Sequence, residues 1–220
     1  MVHAHRATLF PFTIAILAGC AGSQQDLQID PTIQLTVEFL DGSWNGQEIP
    51  VAGRCVECGG SGRSPALRIG GLPTGANEVV VEFNDLRILE LAENGGHGTL
   101  AVSTRGKDTV ILPSVPEETM SIPRGVRSVR PHKCVLFGKR AGAYKAPCGC
   151  GQGNEYVAVV LAVKRNGNQS VILARKEIPL GFFRHFPGRS TNFDDLFPDQ
   201  IIAFFPDLAI LCPLNHGNIH

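Results

Sequence analysis

Tyr156-Val157-Ala158-Val159-Val160-Leu161-Ala162-Val163, closed by Asn166-Gly167-Asn168 and answered by Val171-Ile172-Leu173-Ala174, is the stretch whose reading decides the fold. The two apolar runs are short, rich in Val, Leu and Ala, and bounded by a turn signal, as expected of central strands. The Asn-Gly step between them supplies the positive-φ residues of a tight hairpin. Glu78 to Phe83 and Gly98 to Ser103 have the same character. Ile33-Gln-Leu35-Thr-Val37-Glu-Phe39 instead alternates with period two, the mark of a half-buried strand. Long amphipathic helices are absent. The helical candidates are a short piece near Leu86–Leu91 and the tail from Asn192 to Leu211, where Pro198 and Pro206 limit its length. The region 113–147 is the least patterned and reads as long surface connections. The chain is therefore a mostly β domain with short peripheral helices.

Apolar content of 43% and charged content of 18% place the chain among globular proteins. Its length suits one domain with a sizeable core. Formal net charge is zero, so nothing in the overall charge points to nucleic acid. Locally the balance is uneven. Arg124, Arg127, Arg130, Lys133, Lys139, Arg140 and Lys145 fall in one segment without an acidic residue. That segment is either a solvated loop or a basic rim facing anionic headgroups.

The N-terminus reads as an export signal. Arg6 precedes an apolar stretch from Ala7 to Ala18, too short to span a bilayer, and Leu17-Ala18-Gly19-Cys20 looks like a bacterial lipobox. In that class the signal is cleaved before the cysteine, whose sulfur carries a diacylglycerol. The expected organisation is a signal peptide over 1–19, a tether over 20–32, one β domain over 33–212 and a tail over 213–220. The localisation that follows is the cell envelope, anchored by lipid, on the outer membrane facing the periplasm if the host has one.

Six further cysteines remain: Cys55, Cys58, Cys134, Cys148, Cys150 and Cys212. An even count in an exported chain reads first as disulfides, with connectivity open. The rival reading is zinc, since Cys55-Val-Glu-Cys58 and Cys148-Gly-Cys150 could supply four thiolates. A third is a redox-active dithiol at Cys55/Cys58, which lacks the surrounding βαβ pattern. The disulfide reading is carried forward, with no cofactor and no metal expected.

A set of short patches occurs in a fixed order. They are Ser64-Pro65-Ala66-Leu67, Leu72-Pro73-Thr74-Gly75-Ala76, Val79-Val80-Val81-Glu82-Phe83, Gly96-His97-Gly98, Tyr144-Lys145-Ala146-Pro147-Cys148 and Gly153-Asn154-Glu155-Tyr156. Together they resemble the phosphatidylethanolamine-binding protein (PEBP) family, also called the Raf kinase inhibitor-like proteins, over roughly residues 33–178. The resemblance implies an antiparallel β-sheet sandwich of Greek-key type with a small anion-accepting pocket at one sheet end, in proteins that mostly bind and do not catalyse. It further implies a pocket histidine at His97, an acidic loop at Asp85 (or Asn84), and a Pro-rich loop at Pro147-Cys148. Tyr156 falls on the tyrosine that closes the second motif. A nearby carboxylate would fix the histidine tautomer. Ser64 and Pro65 would shape the fold more than touch ligand.

This sequence departs from that pattern at several positions. The acidic loop keeps one carboxylate and no proline, Gly98 stands where a tryptophan is usual, and Asn154 replaces a second histidine. The expected function is binding of a small anionic or phospholipid-headgroup ligand by Asp85, His97, Pro147, Cys148, Asn154 and Tyr156. The alternative is an interaction or inhibitory module acting on a partner protein through the pocket-edge loops. No Gly-x-Ser-x-Gly or His-Glu-x-x-His motif argues for an enzyme.

Overall fold

The computed structural model describes residues 26–27, 32–137 and 139–184. The leader, Cys20, the segment from Asn192 to Leu211, Cys212 and the tail over 213–220 lie outside the described residues.

Two sheets make up the described fold. In the larger one, β4 (Glu78–Asp85) sits between β5 (Thr99–Ser103) and β8 (Gln152–Asn166), antiparallel to both. β8 turns back through Gly167-Asn168 onto β9 (Gln169–Arg184). β7 (Val126–Arg130) borders β5, and the two-residue β1 (Asp26–Leu27) lies parallel to β9, giving the order β1-β9-β8-β4-β5-β7. The smaller antiparallel sheet has the order β2-β3-β6, formed by Thr36–Phe39, Leu67–Gly70 and Val110–Leu112.

The main core lies between the sheets. Leu67, Ile69 and Leu112 of the smaller sheet pack in one cluster with Val79, Val81, Phe83, Leu100 and Val160 of the larger. On the opposite face of β4, β5, β8 and β9, Val80, Ala101, Val159, Leu161, Val163 and Ile172 form a second buried cluster. Burial on both faces explains why these strands read as continuous apolar runs. Each such side chain contributes about 1.5–3 kcal/mol by leaving water.

One irregularity shapes the end of the larger sheet. The β8–β9 register shifts between Tyr156 and Val157, opposite Gly181 and Pro179. Proline has no N–H for a ladder, so a bulge is where a long strand can hold one. The bend falls beside Asp85, which pairs with Tyr156 across β4 and β8.

The predicted central strands and their hairpin are present, and the outer strand begins at Thr36, three residues after Ile33. β3, β6 and β7 were not predicted. The peripheral helices among the described residues are 3-10 turns of three or four residues, Leu89–Leu91 among them. The region 113–147 departs most from expectation. It contains β7, and its end is not a surface connection: Ala143 to Pro147 is buried. Lys145 N–H donates to the His97 carbonyl at 2.9 Å, so this irregular segment lies against the Gly-His loop. Ser64, as expected, is structural, its buried hydroxyl accepting the Val115 N–H at 2.9 Å.

Candidate functional site

Asp85 ends β4, Asn154 and Tyr156 lie near the start of β8, and His97 immediately precedes β5. The topology therefore brings them to the same end of the larger sheet. The Asp85 carboxylate accepts the Asn154 amide at 2.7 Å and the Arg87 backbone N–H at 3.0 Å. Burial, and then the charge of this carboxylate, push the Tyr156 hydroxyl pKa up. The Tyr156 hydroxyl accepts the Gly149 N–H at 3.1 Å. The His97 ring stands edge-on to the Tyr156 ring, 5.4 Å between centroids. Asn84, next to Asp85, faces away from this group. Its side-chain oxygen accepts the N–H groups of Gly95 and Gly96 at 2.9 and 3.2 Å, fixing the Gly-His loop.

The loop over 145–150 covers this cluster. Pro147 is buried, and its carbonyl accepts the Cys55 N–H at 2.9 Å. Cys148 lies at disulfide distance from Cys55, and Cys150 from Cys58. Gly149 leaves room for Asn154, since a Cβ there would stand 2.9 Å from the Asn154 Cγ. Gly98, at φ +114°, allows a close crossing: a Cβ would come within 2.2 Å of the Ala143 carbonyl oxygen. A tryptophan at that position is incompatible with the buried 143–147 segment.

Two expectations change. First, the cluster is closed: Asp85, His97, Asn154 and Tyr156 are each at most 4% exposed. Second, the carboxylate does not hold the histidine tautomer. His97 Nδ1 donates to the Lys145 carbonyl at 2.9 Å, leaving Nε2 as an acceptor whose one polar neighbour, the Cys134 thiol, is 3.9 Å away. Burial lowers the His97 pKa below its ordinary value, against the opposing pull of that carbonyl and of Asp85. Cys134 is buried and unpaired among the described residues, and Cys212 lies outside them. Burial pushes the Cys134 thiol up to about 12, which makes it a poor nucleophile.

What remains is an acceptor-rich buried cluster. Asn154 Oδ1 is buried with no hydrogen-bond partner, and His97 Nε2 meets the Cys134 sulfur at 3.9 Å. An unpaired buried acceptor costs about 1–3 kcal/mol. Its complement is a donor group, and Asp85 behind it favours a cationic one.

A second polar cluster, missed by sequence reading, lies beyond the loop. Lys145 is 1% exposed, and its Nζ meets Glu117 at 2.8 Å, Glu118 at 2.7 Å and Glu57 at 3.2 Å. Glu57 also pairs with Lys139 at 2.7 Å. Despite partial burial, the two lysines hold the Glu57 carboxyl down to about 2. Four other members of the basic segment also have partners. Arg127 pairs with Glu78, Arg130 with Glu82, and Arg140 with Glu118, while Lys133 donates to the Glu90 carbonyl. The expected basic rim is therefore largely neutralised by carboxylates from elsewhere in the chain. Signals of this kind were invisible because every partner is distant in sequence.

The molecule is thus a two-sheet β domain with a closed polar cluster at one end of its larger sheet. No family model matches the chain, and no curated protein matches it. Among solved structures it is similar to Escherichia coli YbcL, described as a new member of the mammalian PEBP family. The identity is 18% and the TM-score 0.46, covering 69% of this chain and 99% of that one. It is also similar to CT736 of Chlamydia trachomatis, described as a putative phosphatidylethanolamine-binding protein homolog. There the identity is 15% and the TM-score 0.45, covering 70% of this chain and all of that one.

Proposed function

We propose that this chain is a lipid-anchored envelope protein with a PEBP-like fold that binds a phospholipid headgroup or a similarly small ligand at the Asp85–His97–Asn154–Tyr156 cluster. The observation that carries this reading is the unpartnered Asn154 Oδ1, beside an Asp85 carboxylate and a neutral imidazole acceptor. Those groups match an amine better than a phosphate. A purely anionic ligand would need His97 protonated, which its burial opposes. Exposed apolar side chains flank the cluster: Leu86 follows Asp85, Leu89 is 84% exposed, and Val56 on the 55–58 turn is 64% exposed. They suit a site that works against a lipid surface.

Binding and not catalysis is the favoured activity. Cys55 and Cys58 are each paired with the 148–150 loop and not with one another, which leaves no exchangeable bond within the Cys-x-x-Cys motif. A module acting on a partner protein is less favoured because its proposed basic surface is paired. The test is titration of the full chain with phosphoethanolamine and with inorganic phosphate at pH 7.5, followed by the His97 and Tyr156 NMR signals. Phosphoethanolamine should shift both, phosphate alone neither, and Asp85→Asn should abolish the response. Signals indifferent to phosphoethanolamine would refute the reading. Anchoring is tested separately, by the shift of Cys20→Ser from the membrane to the soluble fraction.

A further inference from the structure

The four cysteines that join the 55–58 turn to the 148–150 loop form one compact group. All four Sγ atoms lie within 4.8 Å of one another. Across the two pairs, Cys55 and Cys58 sulfurs are 3.3 Å apart, and Cys58 and Cys148 sulfurs 3.9 Å. A zinc ion with four thiolates at about 2.3 Å has sulfur–sulfur edges of about 3.8 Å. The cross-pair distances bracket that edge. Within each pair the sulfurs stand at disulfide distance, so only the edges between pairs are already near those of a tetrathiolate.

The backbone holds this arrangement without help from sulfur. Cys55 N–H donates to the Pro147 carbonyl at 2.9 Å, and Val56 N–H to Glu117 Oε1 at 2.8 Å. The turn then curls around Cys55, whose carbonyl accepts the N–H groups of Cys58 and Gly60 at 3.1 and 3.0 Å. Gly59 supplies the left-handed residue this requires, at φ 77°. Cys150 is likewise left-handed, at φ 43°, which turns its side chain back toward the group. The cysteines grade from buried Cys55 through half-buried Cys58 and Cys148 to exposed Cys150, so a metal ion has a way in. Glu57 lies 3.7 Å from the Cys148 sulfur and is itself paired with Lys139 and Lys145.

We propose that Cys55, Cys58, Cys148 and Cys150 form a tetrathiolate site for a zinc-like divalent cation when their two pairs are reduced. Each disulfide takes two electrons and two protons from a dithiol reductant, giving four thiols and two oxidised reductant molecules. Metal binding then releases the four thiol protons and changes no oxidation state. The same four residues fasten the two loops in either form, by two covalent links or by one ion.

The experiment uses the full chain, reduced, freed of reductant without air, and titrated with Co²⁺ and then Zn²⁺. One equivalent of cobalt should give thiolate-to-cobalt charge-transfer absorption, which zinc then displaces, while four thiols become unreactive. Cys58→Ser/Cys150→Ser should lose the absorption and weaken zinc binding by more than the roughly 10- to 100-fold typical of an outer-shell loss. Cys134→Ser should retain both. Because a reduced chain could lose its fold, the melting temperature is followed as well, and zinc should raise that of the reduced chain. No cobalt absorption in the reduced chain, a double variant that binds as tightly as wild type, or a reduced melting temperature indifferent to zinc would each overturn the site.

Discussion

Two buried polar clusters meet at Lys145, and they are built on opposite principles. On one side, its carbonyl fixes His97 in a group that contains one carboxylate, a neutral imidazole and an unpaired amide oxygen. On the other, its ammonium satisfies three carboxylates and is satisfied by them. A saturated ion cluster has nothing left to offer a ligand. An acceptor cluster with an open valence costs stability and is worth keeping only if something fills it. The contrast separates a structural post from a site, although the two share one residue.

The largest expected effect comes from breaking the saturated cluster. Lys145→Met leaves Glu57, Glu117 and Glu118 facing each other without a cation, and removal of one member of a buried ion group typically costs about 3–5 kcal/mol. Urea unfolding measures it. A loss below about 1 kcal/mol, the range of an exposed pair, would mean that the cluster is not structural. Of similar size is the loss of the loop cross-links. Each bridge is worth about 2–5 kcal/mol, so Cys55→Ser/Cys148→Ser should unfold earlier in a metal-free, oxidised preparation. Next comes Gly98→Ala, which combines a left-handed backbone with a blocked crossing at Ala143 and should cost about 1–3 kcal/mol.

Smaller effects test the acceptor cluster by pH. The folded pKa of His97 lies below its unfolded value of about 6.5, so the unfolded chain binds the proton more readily. Stability should therefore fall as pH drops below about 6.5, until the folded pKa is reached. His97→Gln should remove part of that slope, read from melting temperatures between pH 7.5 and 5. Smallest of all, Arg127→Ala should change stability by about 1 kcal/mol or less, because its pair with Glu78 is half exposed.

Legibility in the sequence followed periodicity and local order. Val157 to Val163 and Val79 to Phe83 announced central strands because both of their faces are buried. The order of patches around His97, Tyr144 and Tyr156 pointed to residues that the fold brings together. Four-residue β3 and three-residue β6 are too short to show a period. β7 was hidden because Val126, Val129 and their arginines read as part of a basic run, although Arg127 and Arg130 are paired across the sheet to Glu78 and Glu82. Closure of the pocket was also out of reach. It depends on Ala143 to Pro147 lying against His97, forty-eight residues away from Lys145 in sequence. Cysteine pairing across separations of 93 and 92 residues was undetermined for the same reason.

The most direct test of the central claim is the protonation state of one ring. Imidazole ¹⁵N NMR of the full chain should find His97 neutral at pH 7 with the proton on Nδ1, titrating below about 6.5 and shifting when phosphoethanolamine is added. A ring protonated at pH 7, or a neutral ring that phosphoethanolamine leaves unmoved, would contradict the acceptor site and leave only the fold.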